Sequence, residues 1–261
     1  MSERRVTIAI SDGVADVRLA RPEKLNAMDL AMYEGIAAAL DDLRGAKGLR
    51  CVVLSGEGRG FCAGVDLNRL GTETALRDLG PRTHGEANLF QNSAWGWRTL
   101  PVPVIAAVHG VAFGAGCQVM LGADIRIAAP DTKISIMETR WGLVPDVAGM
   151  ALIRGLLRDD VARELIYTAR ILSGEEAAAL GLVTRTAADP LGDALALART
   201  ITGRSPEAIR AAKRLMNALP DGDAASILQA EADEQAPLLA SEGHRETIRA
   251  AAEKREPRFV D

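Results

Sequence analysis

A chain of 261 residues, 48% of them hydrophobic, is long enough for one large domain or two small ones around a sizeable core. Its net charge of -4 and pI near 5.6, with Lys and Arg dispersed among Asp and Glu, argue against nucleic acid or an anionic membrane surface as partner. Cys51, Cys62 and Cys117 have no CxxC spacing and no His close by in sequence, so neither a disulfide framework nor a zinc site is expected and a reducing cytoplasm fits. The charged start runs directly into a β-branched stretch, with no apolar run long enough for a signal peptide or a membrane span.

Residues 6–10 and 14–19 read as strands around a turn at Asp12-Gly13, followed by a helix that opens near Asp29 and ends by Gly45. Residues 50–55 form the next expected strand, and β-branched runs at 104–108, 124–128 and 134–136 predict three more. Gly-rich turns and helices lie between them, which is an α/β arrangement. After about Val147 the composition shifts to Ala, Leu, Arg and Glu, with helix starts at Ser173, Pro190, Ser205 and Asp223. The division expected from this shift is a core over residues 1–200 and a helical region over 201–261.

Two segments, GEGRGFCAGVDL at 56–67 and HGVAFGAGCQ at 109–118, place glycines between a strand and a helix, where backbone N–H groups lack partners and can point at a ligand. Either could be a tight turn. Gly114-Ala115-Gly116 followed by Val119 half-matches a dinucleotide fingerprint but lacks the third small residue. No GxSxG nucleophile elbow is present, which disfavours a serine hydrolase.

Taken in order, these and three further segments resemble the crotonase (enoyl-CoA hydratase/isomerase) family. RPEKLNAM at 21–28 resembles its early RPxxxNAL turn, FCAGVDL at 61–67 its FxAGAD loop, and PVIAAVHG at 103–110 its KPVIAAVNG strand. GAGC at 114–117 stands where the family has GGGC, and residues 172–183 resemble its segment ending in GLV. The resemblance implies a spiral of ββα units with a C-terminal helical region that packs in trimers or dimers of trimers. It also implies an acyl-CoA substrate, with no metal and no permanently bound cofactor. Two backbone N–H groups, which would belong to Val65 and Ala115, would receive the charge developing on the thioester oxygen of an enolate. Ala63, Asp66, Leu67 and Asn68 match positions along the CoA arm. The family often has Lys where Asn68 stands, so Lys254 is a candidate for the missing phosphate contact.

The same resemblance assigns the acid–base groups. Hydratases of the family use two glutamates to activate water, and the first position here is Gln118, a neutral amide with no basic lone pair. The second matches Glu138. Asp146, in GLVPD, reads locally as the N-cap of a helix over 147–157, but dienoyl-CoA isomerases carry a Glu and an Asp at these two positions. Isomerisation is therefore expected, with Glu138 and Asp146 moving protons. Hydration on the same two carboxylates, with Gln118 holding water, and non-catalytic acyl-CoA binding are the alternatives. His109 is expected to be a hydrogen-bonded structural residue. Residues 72–97, which include His84, would cover the acyl pocket, with Trp95, Trp97 and Trp141 as residues that could shape it.

Overall fold

A computed structural model describes residues 4–70 and 79–260. Strands β1 (Val6–Ser11) and β2 (Val14–Leu19) form an antiparallel hairpin, closed by Asp12 at φ 51° and Gly13 at φ 76°. Two left-handed residues match the twist of the flanking strands, which is why Asp-Gly suits this turn. Asp29 then caps α1 (Leu30–Gly45), its side chain accepting the Met32 N–H at 2.9 Å.

Strand β3 (Cys51–Gly56) is buried at every residue, as expected of a parallel strand covered on both faces. After α2 (Leu67–Leu70) and α3 (Leu89–Thr99), β4 (Val104–Val108) joins β3 in parallel. The chain continues through β5 (Val111–Phe113), α4 (Ala115–Leu121), β6 (Ile125–Ala128) and β7 (Lys133–Ser135). A short pair, β8 (Arg185–Thr186), closes a six-stranded sheet of order β1-β2-β3-β4-β6-β8, parallel from β2 onward. The two faces alternate strictly. Val17, Val52, Leu54, Val104 and Ala106 face the core shared with α1 and α3. Val14, Cys51, Val53 and Ile105 face Ala194 and Ala198 of α8 (Pro190–Thr202), whose small side chains bring the helix close to the sheet.

The sequence-based strands are found within one or two residues; β5 and β8, of three and two residues, had no run long enough to be read. The remaining helices are α5 (Gly149–Ile153), α6 (Asp159–Thr168), α7 (Gly174–Leu180), α9 (Pro206–Ala218), α10 (Ala224–Leu239) and α11 (Glu242–Glu253). The expected starts at Ser173, Ser205 and Asp223 are side-chain caps, and Pro190 is the first residue of α8 behind an Asp189 cap. The helix expected over 147–157 is corrected. It begins at Gly149, behind a left-handed Ala148 at φ 60°, and Asp146 caps nothing. Among the described residues no helix is long and apolar enough to cross a membrane.

What positions the site is the small parallel pair β5–β7, which stands apart from the main sheet. Strand β5 runs straight into α4, and β7 into a 3-10 turn at Glu138–Trp141. The Gly114 N–H donates to Ser135 O at 2.9 Å, so the start of α4 and the Glu138 turn are held side by side.

Helix α9 is fixed to this core by one buried cation. Lys213 Nζ donates to Asp124 at 2.8 Å and to the carbonyls of Val102 and Trp97 at 2.8 and 3.3 Å. Removing it leaves the Asp124 carboxylate with only the Val104 N–H, at 2.7 Å, and takes the donor from two carbonyls. Lys213→Ala should cost about 3 kcal/mol in urea unfolding, the lower end for a broken buried pair because 21% of the Asp124 side chain stays in solvent. A loss within experimental error would show that the apolar face of α9 and the hydrogen bonds of Arg210 to Leu49 O and Asn217 to Arg98 O hold it without Lys213.

Candidate active site

Asn26 organises the first wall of the site. Fully buried, it donates from Nδ2 to Glu57 O and Gly60 O, both at 2.9 Å, and to Phe61 O at 3.2 Å, while its Oδ1 accepts the Arg21 N–H at 2.8 Å. One amide therefore pins the Arg21–Asn26 turn onto the Gly-rich loop. The loop then runs along β5: Cys62 N donates to Val111 O, and Phe113 N to Cys62 O, both at 3.0 Å.

This approach is too close for side chains. A Cβ on Gly64, at φ 87°, would stand 2.6 Å from Phe113 O, and one on Gly116 would stand 2.4 Å from Cys62 O. The same hypothetical Gly64 Cβ would be 3.7 Å from Ala115 N, so the residue before Val65 lies against the first residue of α4. Neither the Val65 nor the Ala115 N–H has a hydrogen-bond partner among the described residues. Buried, unpaired N–H groups are rare. Here both residues line one cavity of about 320 Å3, together with Ala63, Leu67, Phe113, Met137, Glu138, Arg140, Trp141, Leu143 and Ile171. Two free donors beside a largely apolar cavity are suited to an oxygen that gains negative charge.

Glu138 is the carboxylate of this cavity. It is buried; its Oε1 accepts from Gln118 Nε2 at 2.5 Å, and its Oε2 is buried with no partner. Burial pushes its pKa above the ordinary carboxylate value. Hydrogen bonds from its own backbone and from Gln118 oppose the shift, and the charge of Asp146 adds to it. Asp146 keeps a face in solvent, yet the surrounding protein raises its carboxyl too. Asp146 lies near enough to influence Glu138 electrostatically but is not one of the cavity-lining residues.

Ala63, Val65, Leu67, Ala115 and Glu138 thus meet at one cavity, with Gln118 hydrogen-bonded to Glu138 and Asp146 close by. Asp66 does not line the cavity: its carboxylate is buried against Arg21, Nη2 to Oδ2 at 2.9 Å, and ties the loop down. Asn68 is exposed, its backbone N–H bonded to Asp66 Oδ1 at 3.2 Å. Lys254 caps the end of α11 in a left-handed conformation and does not line the cavity. Of the tryptophans only Trp141 lines it; Trp97 is a core residue and Trp95 lies half-buried on α3. His109 Nε2 is 2.9 Å from Gly58 O, the structural bond expected of it. His84 pairs with Thr83, and residues 72–78 of the expected pocket cover lie outside the described residues. Arg140 was not foreseen; it lines the cavity without an ion-pair partner among the described residues.

Comparison with known proteins settles the family. The family model for enoyl-CoA hydratase/isomerase matches residues 9–261. The chain belongs to the enoyl-CoA hydratase/isomerase family. Its fold is that of the crotonases: it superposes on an enoyl-CoA hydratase from Bacillus anthracis with a TM-score of 0.90 at 28% identity, covering 98% of each chain. One from Mycobacterium tuberculosis gives 0.88 at 32% identity, covering 99% of each. Among curated relatives, 1,2-epoxyphenylacetyl-CoA isomerase of Escherichia coli is 34% identical over 96% of both chains. The mouse mitochondrial methylglutaconyl-CoA hydratase is 31% identical over 95% of this chain and 79% of its own length. The relatives therefore include hydratases and an isomerase.

The burial of Glu138 has a measurable cost. Below the pKa of the unfolded carboxyl both states carry the proton and ionisation costs the fold nothing. Above it the unfolded chain ionises first, and stability falls until the pH passes the raised folded value. Glu138→Gln removes the charge and keeps an acceptor for Gln118. It should raise Tm at neutral pH but not at about pH 4, where a free Glu is largely protonated. An equal effect at both pH values would mean that the charge is not what the fold resists.

Proposed function

We propose that this crotonase shifts a double bond in an acyl-CoA, from 3-enoyl to 2-enoyl or from 3,5-dienoyl to 2,4-dienoyl, through a thioester enolate. The observation that carries this reading is the hydrogen bonding of Gln118. At the position where a hydratase needs its first acid–base group there is an amide whose oxygen and nitrogen are both already engaged within the protein. A water placed there would find no base.

In the proposed reaction the Val65 and Ala115 N–H groups receive the thioester oxygen. Removing one donor of such a pair raises a barrier by about 2.7–4 kcal/mol. Glu138 Oε2 takes a proton from C2, and the electron pair moves onto the thioester oxygen. The enolate is then reprotonated at C4, or at C6 of a dienoyl chain. Glu138 can return the proton over the shorter distance, and Asp146 is the candidate donor for the longer one. Both carboxyls have raised pKa values, which brings them nearer the range where a group can both take and give a proton. This chemistry needs neither a metal nor a redox cofactor. Ala63, Leu67 and Asn68 are proposed to flank the CoA arm, with Lys254 as the candidate for a phosphate contact outside the cavity.

Hydration is the second reading, supported by the relatives that are hydratases. Incubation with 3-enoyl-, 3,5-dienoyl- and 2-enoyl-CoA, with products read by mass and absorbance, separates the two. Isomerised product of unchanged mass is expected, and fast gain of water on 2-enoyl-CoA would overturn the proposal. Glu138→Gln should lower kcat by roughly two to four orders of magnitude. Asp146→Asn should do the same only if the substrate is the dienoyl-CoA. Full activity of Glu138→Gln would remove Glu138 from the chemistry.

Residues 201–261 are proposed to mediate assembly into a trimer or a dimer of trimers. Helix α10 buries none of its residues, and Met216, Leu228, Leu239 and Ile248 of α9 to α11 are all more than half exposed. Light scattering should give a multiple of three protomers at micromolar concentration; a monomer would count against the assignment.

A further inference from the structure

Gln118 is fully buried on α4, between Glu138 and the turn that carries Asp146. Its Oε1 accepts the backbone N–H groups of Val147 at 2.8 Å and Gly149 at 2.9 Å, while its Nε2 donates to Glu138 Oε1 at 2.5 Å. The orientation of the amide is forced. A backbone N–H can only donate, so the oxygen must face the turn, and the NH2 must then face the carboxylate.

We infer that Gln118 is a positioning residue whose amide links Glu138 to the 147–149 turn, leaving Oε2 as the Glu138 oxygen that moves the proton. The inference rests on the proposed proton-transfer role of Glu138. A residue of similar length satisfies both neighbours only if it is both donor and acceptor, and among these Gln alone does so without a proton of its own to lose. Met would orphan two buried N–H groups and one carboxylate oxygen. Glu would accept both N–H groups but set a second carboxylate against Oε1, where the two would have to share a proton. The turn is shaped to receive the amide. A Cβ on Gly149 would stand 2.5 Å from Gln118 Oε1, and Ala148 takes the left-handed conformation at φ 60° that turns both flanking N–H groups inward. Because Asp146 directly precedes this turn, the same amide fixes the spacing between the two carboxyl-bearing segments.

The charged and titratable groups around Glu138 are Asp146, Tyr33, Cys117 and Arg140, the last of which lines the same cavity. Asp146 raises its pKa, and Tyr33 and Cys117, coupled to it electrostatically, are themselves pushed up by burial and stay neutral. The Gln118 hydrogen bond is thus the polar side-chain contact that favours ionised Glu138.

The test uses Gln118→Glu and Gln118→Met in the full-length protein, with two readouts. The first is the carboxyl infrared band of Glu138 followed against pH without ligand, identified by its loss in Glu138→Gln. The second is the pH profile of kcat on whichever isomerase substrate the wild type turns over. Both variants should move the Glu138 titration and the rising limb of kcat upward, by about one pH unit or more for Gln118→Glu, where a like charge is added. Gln118→Met should also lower kcat by roughly 10- to 100-fold while KM changes less than about threefold, the pattern of an interaction used after binding. A Glu138 titration unmoved in Gln118→Glu would overturn the inference. Gln118→Glu keeps both backbone acceptors, so it decides the matter if Gln118→Met fails to fold. A wild type inactive on every isomerase substrate would defeat the proposed reaction, while the infrared titration would still test the link.

Discussion

The contact on which the rest of the site depends is the close packing of the Phe61–Val65 backbone against β5 and the start of α4. It requires main chain to meet main chain, which only residues without a Cβ permit at Gly64 and Gly116. Asn26 supplies the force that holds the loop there, replacing solvent for three carbonyls that would otherwise be buried unpaired. Arg21 and Asp66 brace the loop from behind. With the loop so placed, the Val65 and Ala115 N–H groups lie beside one cavity. Neither position demands a particular side chain.

The second half of the site is built against the preferences of the fold. Glu138 is buried with one oxygen unpaired, and Asp146 adds a like charge to its surroundings. Such an arrangement weakens the native state at neutral pH and persists only where neighbouring contacts over-determine it. The β5–β7 pair provides that surplus by fixing the Glu138 turn to the start of α4, and the Gln118 amide ties it to the 147–149 turn.

Much of this was legible in the sequence wherever the signal was local. Ser173, Ser205 and Asp223 announced helix starts because a cap and its helix are neighbours in the chain. The Gly-rich segments could be matched to a family because their spacing is fixed by the backbone turns they make. The misreadings share a different cause, a partner far away in sequence. The pairing of the Asp66 carboxylate went unread because Arg21 is 45 residues away. Asp146 looked like a helix cap because nothing nearby reveals that Gln118 takes the N–H groups of Val147 and Gly149. Gln118 itself read as a missing acid, whereas folded it is a link with both ends occupied. Arg140 gave no signal at all, since one exposed Arg among many is not distinguished by type or spacing.

The unpaired N–H groups of Val65 and Ala115 bear on how such an enzyme can change over generations. Every non-proline residue supplies the same backbone donor, so most codon changes at these positions leave the donors proposed to stabilise the enolate in place. In the proposed reaction side chains hold only the acid–base half of the chemistry. A lineage can therefore exchange, add or silence carboxylates one at a time while retaining the means to form the enolate, and a new reaction type need not begin from an inert protein. The evolvability of the scaffold resides in its main chain.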